Sequence, residues 1–179
     1  MHKIFQNIFG SNNNQNIYLP RPLDEMPLRR VVRKCIEENV QNSDFTGFVD
    51  NLARYMAEVD GPIIGLEEKL KNGGRPDLLD SALKLKESFY KNLTREQLAP
   101  SIQDAYVHIL ACIITIFEQK ILPLIKGGKS PEVIDKAIYE EIINHIYTEI
   151  SDIREFNHNM EDIRGMLYYL TGNCHIKWN

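Results

Sequence analysis

One short segment, Gly127-Gly128-Lys129-Ser130, resembles the end of a phosphate-binding loop. A complete loop of this kind has a glycine five residues before its Gly-Lys pair and follows a β-strand. Pro123 occupies that position, and the residues before it have the pattern of a helix. The segment is therefore typical of a helix end followed by the N-cap of the next helix.

Two groups of carboxylates and imidazoles have spacings found in metal sites of helical bundles. Glu155 and His158 have the Glu-x-x-His spacing, and Glu141, His145 and Glu149 follow one another at one helical turn. Carboxylate-bridged sites need two Glu-x-x-His pairs and further glutamates, and the second pair is absent from the sequence. We therefore interpret both groups as polar stripes and expect no metal and no cofactor.

The three cysteines, Cys35, Cys112 and Cys174, form no CxxC pair. Cys174 is followed by His175, but a zinc site needs a second pair of ligands at similar spacing. An odd number of widely separated cysteines fits a reducing compartment, and the N-terminus has no signal-peptide pattern. We therefore expect a cytoplasmic protein with no catalytic site of its own.

A basic face is predicted on the first helix, where Arg29 and Arg33 lie one turn apart, as do Arg30 and Lys34. Such a face has three interpretations, namely contact with nucleic-acid phosphates, pairing with an acidic partner, or simple solvation. The formal net charge of −4 argues against a dedicated nucleic-acid protein. If the protein associates with nucleic acid, we therefore expect the association to be indirect, through a partner.

From Asp24 onward the apolar residues recur with a helical period, which predicts an all-α fold. The start signals are Thr94, Ser101 and Ser130-Pro131, and Pro123 is expected to kink or end the longest helix. We predict a compact bundle of six or seven helices in a single domain, residues 23–179. Residues 1–22 are predicted to form a non-helical N-terminal arm, either a short β-hairpin or a segment that becomes ordered on a partner.

The most apolar part of the chain, Val107 to Ile125, is a candidate membrane span. Its uninterrupted apolar run is about ten residues, whereas a transmembrane helix needs ~20. We therefore predict a core helix and no contact with a membrane.

Several features are typical of a protein-binding surface. The arm can add a strand to a partner's sheet, and Trp178 is the only tryptophan, a residue type enriched at binding hot spots. A glycine inside a helix costs ~1 kcal/mol relative to alanine, so Gly165 suggests a close helix crossing. The residues predicted to contact a partner are Ile8, Phe9, Ile17, Tyr18, Arg29, Arg30, Arg33, Gly165, Tyr168, Tyr169, His175 and Trp178.

The run from Arg164 to His175, Arg-Gly-Met-Leu-Tyr-Tyr-Leu-Thr-Gly-Asn-Cys-His, resembles the end of small helical domains in bacterial ABC-three-component systems. These are anti-phage systems of the Lamassu type, in which an ABC- or SMC-type ATPase works with an effector, often a nuclease, and a small accessory component. The resemblance implies a non-catalytic subunit that binds the ATPase and the effector and restrains the effector. The alternative is a small helical regulator or immunity-type protein that contacts nucleic acid through the basic helix.

Overall fold

A computed structural model describes residues 27–38, 50–57, 64–95, 98–156 and 158–179. These ranges contain seven helices and no strand, which confirms the predicted all-α class. The arm and the proposed boundary at residues 22 and 23 lie outside the described residues. The helices are α1 Pro27–Glu38, α2 Asp50–Met56, α3 Leu66–Asn72, α4 Leu79–Arg95, α5 Pro100–Lys126, α6 over residues 131–150, and α7 Met160–Gly172.

Three of the described helices, α4, α6 and α7, begin at residue types that favour a helix start. A short 3-10 turn, Pro76–Leu78, leads into α4, and Ser130 and Pro131 occupy the N-cap and the first turn of α6. The start of α7 is a capping box, since the Asn159 side chain accepts from the backbone N–H of Asp162 while the Asp162 carboxylate accepts from that of Asn159. These bonds satisfy N–H groups that have no partner inside the helix.

Two predicted helix starts are wrong. Thr94 lies inside α4, where its hydroxyl donates to the Tyr90 carbonyl at 2.8 Å. The next helix begins at Pro100 with Ala99 at the N-cap, so Ser101 is a buried residue of the first turn. Proline is favoured there because its missing N–H would have no intrahelical partner in any case.

The two longest helices each contain a π-helical segment. In α5 it spans Phe117–Ile121 and is followed by one more α-helical stretch, Leu122–Lys126. In α6 it spans Ile138–Asn144, between Pro131–Ala137 and His145–Ile150. Of the two outcomes expected at Pro123, a kink or an end of the helix, the end is excluded because α5 continues to Lys126. The π turn lies just ahead of the proline, at the point where a regular helix would clash with the proline ring.

Helix α5 is long and apolar enough to cross a membrane if length and composition alone are considered, the one such helix in the described ranges. The mean hydropathy of its most apolar window is 1.6, and 28 % of that window is buried. Helices α1 and α2 pack against it, and Ile109, Leu110 and Ile113 are fully buried. The contacts are those of a core helix, with part of its apolar surface only partly covered.

The most extensive helix contact joins α4 and α7. A Cβ atom added at Gly165 would lie 2.7 Å from the Leu85 carbonyl oxygen and 3.1 Å from the Phe89 Cβ. The predicted close crossing is therefore confirmed, because the two backbones approach nearer than any side chain at position 165 allows. Phe89 also packs edge to face on Tyr169 across the same contact, with ring centroids 5.2 Å apart.

We expect Gly165→Ala to lower the free energy of unfolding by about 1 to 3 kcal/mol, because the new methyl group must displace the backbone of α4. Urea denaturation monitored by circular dichroism measures the change. Gly172→Ala is the matched control, since its Cβ would meet only the flexible end of the Lys86 side chain. An equal loss in both variants would contradict the role assigned to the crossing.

Candidate functional site

Four of the predicted partner contacts, Ile8, Phe9, Ile17 and Tyr18, lie outside the described residues. Their role stays a prediction. The other predicted residues fall into two places in the fold, the N-terminal helix α1 and the C-terminal segment from Gly165 to Trp178.

On α1, Arg29 faces inward and is 4 % exposed. Its Nε donates to the Glu149 carbonyl at 2.8 Å and its Nη2 to the Thr148 carbonyl at 2.5 Å. These carbonyls belong to the last turn of α6, which has no intrahelical donors for them. The predicted basic surface is thus in part an internal contact, in which Arg29 joins α1 to the end of α6 and is not accessible to a phosphate.

The neighbouring charges complete this contact. Glu149 is 2 % exposed; its carboxylate accepts from the backbone N–H of Arg29 at 3.1 Å and lies 3.0 Å from the Nε2 of His145. Arg33 is partly exposed and pairs with Asp152 at 3.0 Å. Arg30, the third predicted arginine, is exposed on the outer side of α1. Glu149 is thus the buried carboxylate of the polar stripe formed by Glu141, His145 and Glu149, and it binds Arg29.

A hydroxyl, an imidazole and a carboxylate meet where α5 contacts the start of α7. The Tyr106 hydroxyl lies 2.7 Å from His158 Nε2, and His158 Nδ1 lies 3.5 Å from Asp162. The order of groups is that of a nucleophile, a base and an orienting acid. Tyr106 is 5 % exposed, however, and burial raises its pKa well above the usual range, which disfavours a reactive phenolate. The arrangement holds the capping-box end of α7 against α5.

The C-terminus of α7 ends in a Schellman motif. The His175 N–H donates to the Leu170 carbonyl at 2.9 Å, and the Cys174 N–H donates to the Thr171 carbonyl at 3.3 Å. Cys174 has a φ of 64°, in the left-handed region that this motif requires and that glycine usually occupies. It is the only non-glycine residue with a positive φ among those the structure describes. The buried Lys69 ammonium donates to the Thr171 carbonyl as well.

The residues after α7 hold the segments that flank residues 58–63. The Asn173 side-chain amide and the His175 ring both bind the Tyr55 carbonyl, each at 3.2 Å. The Cys174 thiol lies 3.7 Å from the Ile64 carbonyl oxygen. The Asn-Cys-His part of the sequence signature is therefore a clamp that fixes the end of α2 and the start of α3 to α7.

Trp178 returns to the core and is 1 % exposed. Its indole N–H donates to the Thr171 hydroxyl at 3.2 Å, and its ring packs on Phe117 with centroids 5.3 Å apart. Trp178 packs directly on Gly73, where a side chain would leave no room, since a Cβ at position 73 would lie 2.8 Å from the Trp178 Cβ. In this conformation Trp178 stabilises the domain and presents no surface to a partner.

The part of the chain that contains these contacts matches a known family. Residues 65–178, more than half of the chain, match the family described as C-terminal domain 9 of the ABC-three component (ABC-3C) systems, CTD9. The chain belongs to the CTD9 family. Neither the curated proteins nor the solved structures contain a match to the chain. The match covers helices α3 to α7 and the tail, and it begins after α1 and α2.

The CTD9 domain has a shallow groove between α6, α7 and the 3-10 turn before α4, with a volume of about 260 Å³. Its apolar walls are formed by Leu78, Ile138 and Ile143, and Tyr139 lies at its edge with 49 % of its surface exposed. Sequence reasoning missed Tyr139 because it sought apolar stripes. The sequence does contain a signal for it, because Tyr139 is an aromatic residue on the polar side of α6, where it does not contribute to the core.

The groove also brings together two residues of the signature. Tyr168, a predicted partner contact, lines it and is 4 % exposed. Arg164, which was not among the predicted contacts, lines it from one turn earlier on α7. Tyr169 points elsewhere; it is 1 % exposed, stacks on the exposed Tyr90 and has a hydroxyl with no hydrogen-bond partner in the described part of the chain.

We expect Cys174→Gly to be more stable than Cys174→Ala by about 1 kcal/mol, because glycine adopts a positive φ without the steric cost that an L side chain has there. Both variants lose the same thiol contact, so the difference between their stabilities reports the cost of the positive φ alone. Thermal unfolding monitored by calorimetry measures it. Equal stability of the two variants would contradict the strained Schellman motif.

Burial lowers the pKa of His158 and of His175 from the usual 6.5. The unfolded chain then binds protons more readily than the folded chain, so stability is full above about pH 6.5 and falls as pH drops below it. We expect the melting temperature to decrease between pH 7.5 and pH 5.5, and to decrease less in the variant His158→Gln/His175→Gln. His108→Gln, a change at an exposed histidine, is the control. A double variant with the wild-type pH slope would refute this origin of the acid sensitivity.

Proposed function

We propose that this CTD9 protein is a non-catalytic subunit of a bacterial anti-phage ABC-three-component complex of the Lamassu type. In that complex it binds the SMC- or ABC-type ATPase and the effector, and it restrains the effector until the ATPase is activated. The complex acts in the cytoplasm without membrane contact, and the ATPase, not this chain, makes the main contact with DNA.

The observation that carries this proposal is the match of residues 65–178 to a domain of ABC-three-component systems. A domain of a multi-component system has partners within that system, which supports a role in assembly. The exposed aromatic residues Tyr90 and Tyr139, with 47 % and 49 % of their surfaces exposed, supply the type of side chain that dominates protein interfaces.

The state of the polar residues supports a role in binding. The Tyr106, His158 and Asp162 group joins α5 to α7, and the Glu149 carboxylate binds Arg29. Within the described residues, no group of three or more His, Cys, Asp or Glu side chains is arranged to hold a metal ion. The side chains that could act chemically, those of Tyr106, His158, Asp162 and Glu149, are thus engaged in contacts that hold helices together.

The proposal is tested by co-expressing the full chain with the ATPase and the effector encoded beside its gene and purifying through a tag on the effector. We expect all three proteins to co-elute, and we expect effector activity to be higher when the chain is omitted. Isolated effector and ATPase should each retain their activity without the chain, since the chain supplies no catalytic group.

A chain that elutes as a monomer, apart from both proteins, would contradict the proposal. Retention of DNA by the complex gives a second readout. Because Arg29 is internal, the exposed Arg30 is the suitable residue to change, and we expect Arg30→Glu to leave DNA retention unaltered. Loss of DNA with intact assembly would favour a nucleic-acid contact through α1.

A further inference from the structure

The groove between α6 and α7 has hydrogen-bond donors with no acceptor among the residues that the structure describes. Arg164 is half-buried and makes no hydrogen bond or ion pair with any described residue, and the Tyr168 hydroxyl makes none either. Neither group is among the buried polar atoms that lack a partner in the described residues, so both donors reach solvent in the groove and are available to a ligand. Both lie on α7, one turn apart and on the same face of that helix.

The other charged group in the groove is already neutralised. Asp135 is bound by Arg75, which is 2 % exposed and also forms a two-point contact with Asp77 at 3.2 and 2.9 Å. The Arg75–Asp135 pair holds the 3-10 turn before α4 against α6. Within the described part of the chain, the charge in the groove that has no ion-pair partner is the Arg164 guanidinium, which complements one negative charge on a ligand.

We infer that this groove binds a protein segment, from another component of the same system, that carries one Asp or Glu between apolar side chains. The carboxylate binds the Arg164 guanidinium and accepts from the Tyr168 hydroxyl. The apolar side chains cover Leu78, Ile138 and Tyr139. The inference rests on the proposed function, and it names the surface and the partner chemistry that the proposed function leaves open.

Three observations favour a carboxylate-bearing segment over other ligands. A phosphate would bring about two negative charges to a single guanidinium, whereas a carboxylate brings one. A purely apolar segment would bury the Arg164 guanidinium without a partner, at a cost that a carboxylate removes. Tyrosine and arginine are also the residues that most often carry the binding energy of protein interfaces, and this groove holds two tyrosines and one arginine.

The test uses the full chain and the component with which it co-purifies, with affinity measured by calorimetry. We expect Arg164→Glu to weaken binding by about thirty-fold or more, and Tyr168→Phe by about three- to tenfold, because each loses a bond to a buried charge. Arg154→Glu is the control, since it makes the same charge change at an exposed arginine away from the groove. Circular dichroism confirms that each variant is folded before its affinity is compared.

A photo-reactive phenylalanine analogue at position 139 identifies the occupant. The inference predicts a crosslink to a partner segment that contains Asp or Glu, and rescue of Arg164→Glu by reversing the charge of that residue. A crosslink to residues 1–26 of the same chain, to a second copy, or to a segment without a carboxylate would overturn it. So would equal affinities of Arg164→Glu and Arg154→Glu. If no component binds even the unaltered chain, the proposed function itself fails, and the two failures are thereby distinguished.

Discussion

The contact between α4 and α7 requires a backbone position without a side chain, and Gly165 supplies it. With the Leu85 carbonyl oxygen 2.7 Å from where a Cβ would stand, the two helices can approach this closely only at a glycine. The direction of α7 follows from this crossing. The Schellman motif, the clamp on Tyr55 and Ile64, and the return of Trp178 to Gly73 all extend from the end of that one helix. The face of α7 that borders the groove is set by the same contact.

The resemblance carried by the C-terminal run therefore has a mainly structural basis. Thr171, Asn173, Cys174, His175 and Trp178 each contact another element of the fold. They are recognisable because they stabilise one packing of α3, α4 and α7, and the groove lies beside them on α7. Such a signature thus reports how the domain is built, and only the residues within it that face outward are available to a partner.

The helical class, the ends of α3 and the starts of α4, α6 and α7 were predictable because each depends on a few neighbouring residues. The crossing at Gly165 was predictable because a glycine inside an apolar helix has a local cost that only a close contact explains. The predictions at Thr94 and Ser101 were wrong because a capping pattern shows only that a helix start is compatible with the sequence. Helix α4 continues past Thr94 to Arg95, and α5 already begins at Pro100. The inward direction of Arg29 depends on Glu149, which is more than one hundred positions away. The groove around Arg164 is lined by α6 and by Leu78, which is more than eighty positions away, so no local pattern contains either feature.

The position of Trp178 has a consequence for how the protein folds during its synthesis. Its ring packs on Gly73 and Phe117, residues that leave the ribosome long before it does. Until the last turn of α7 and the tail have emerged, the site that receives the tryptophan stays open, and an apolar cavity faces the solvent or a chaperone. The domain is therefore expected to complete its core only after residue 178 is released, so a ribosome that stalls early leaves an unfinished fold. In this way a single aromatic residue near the end of the domain marks the completion of its core.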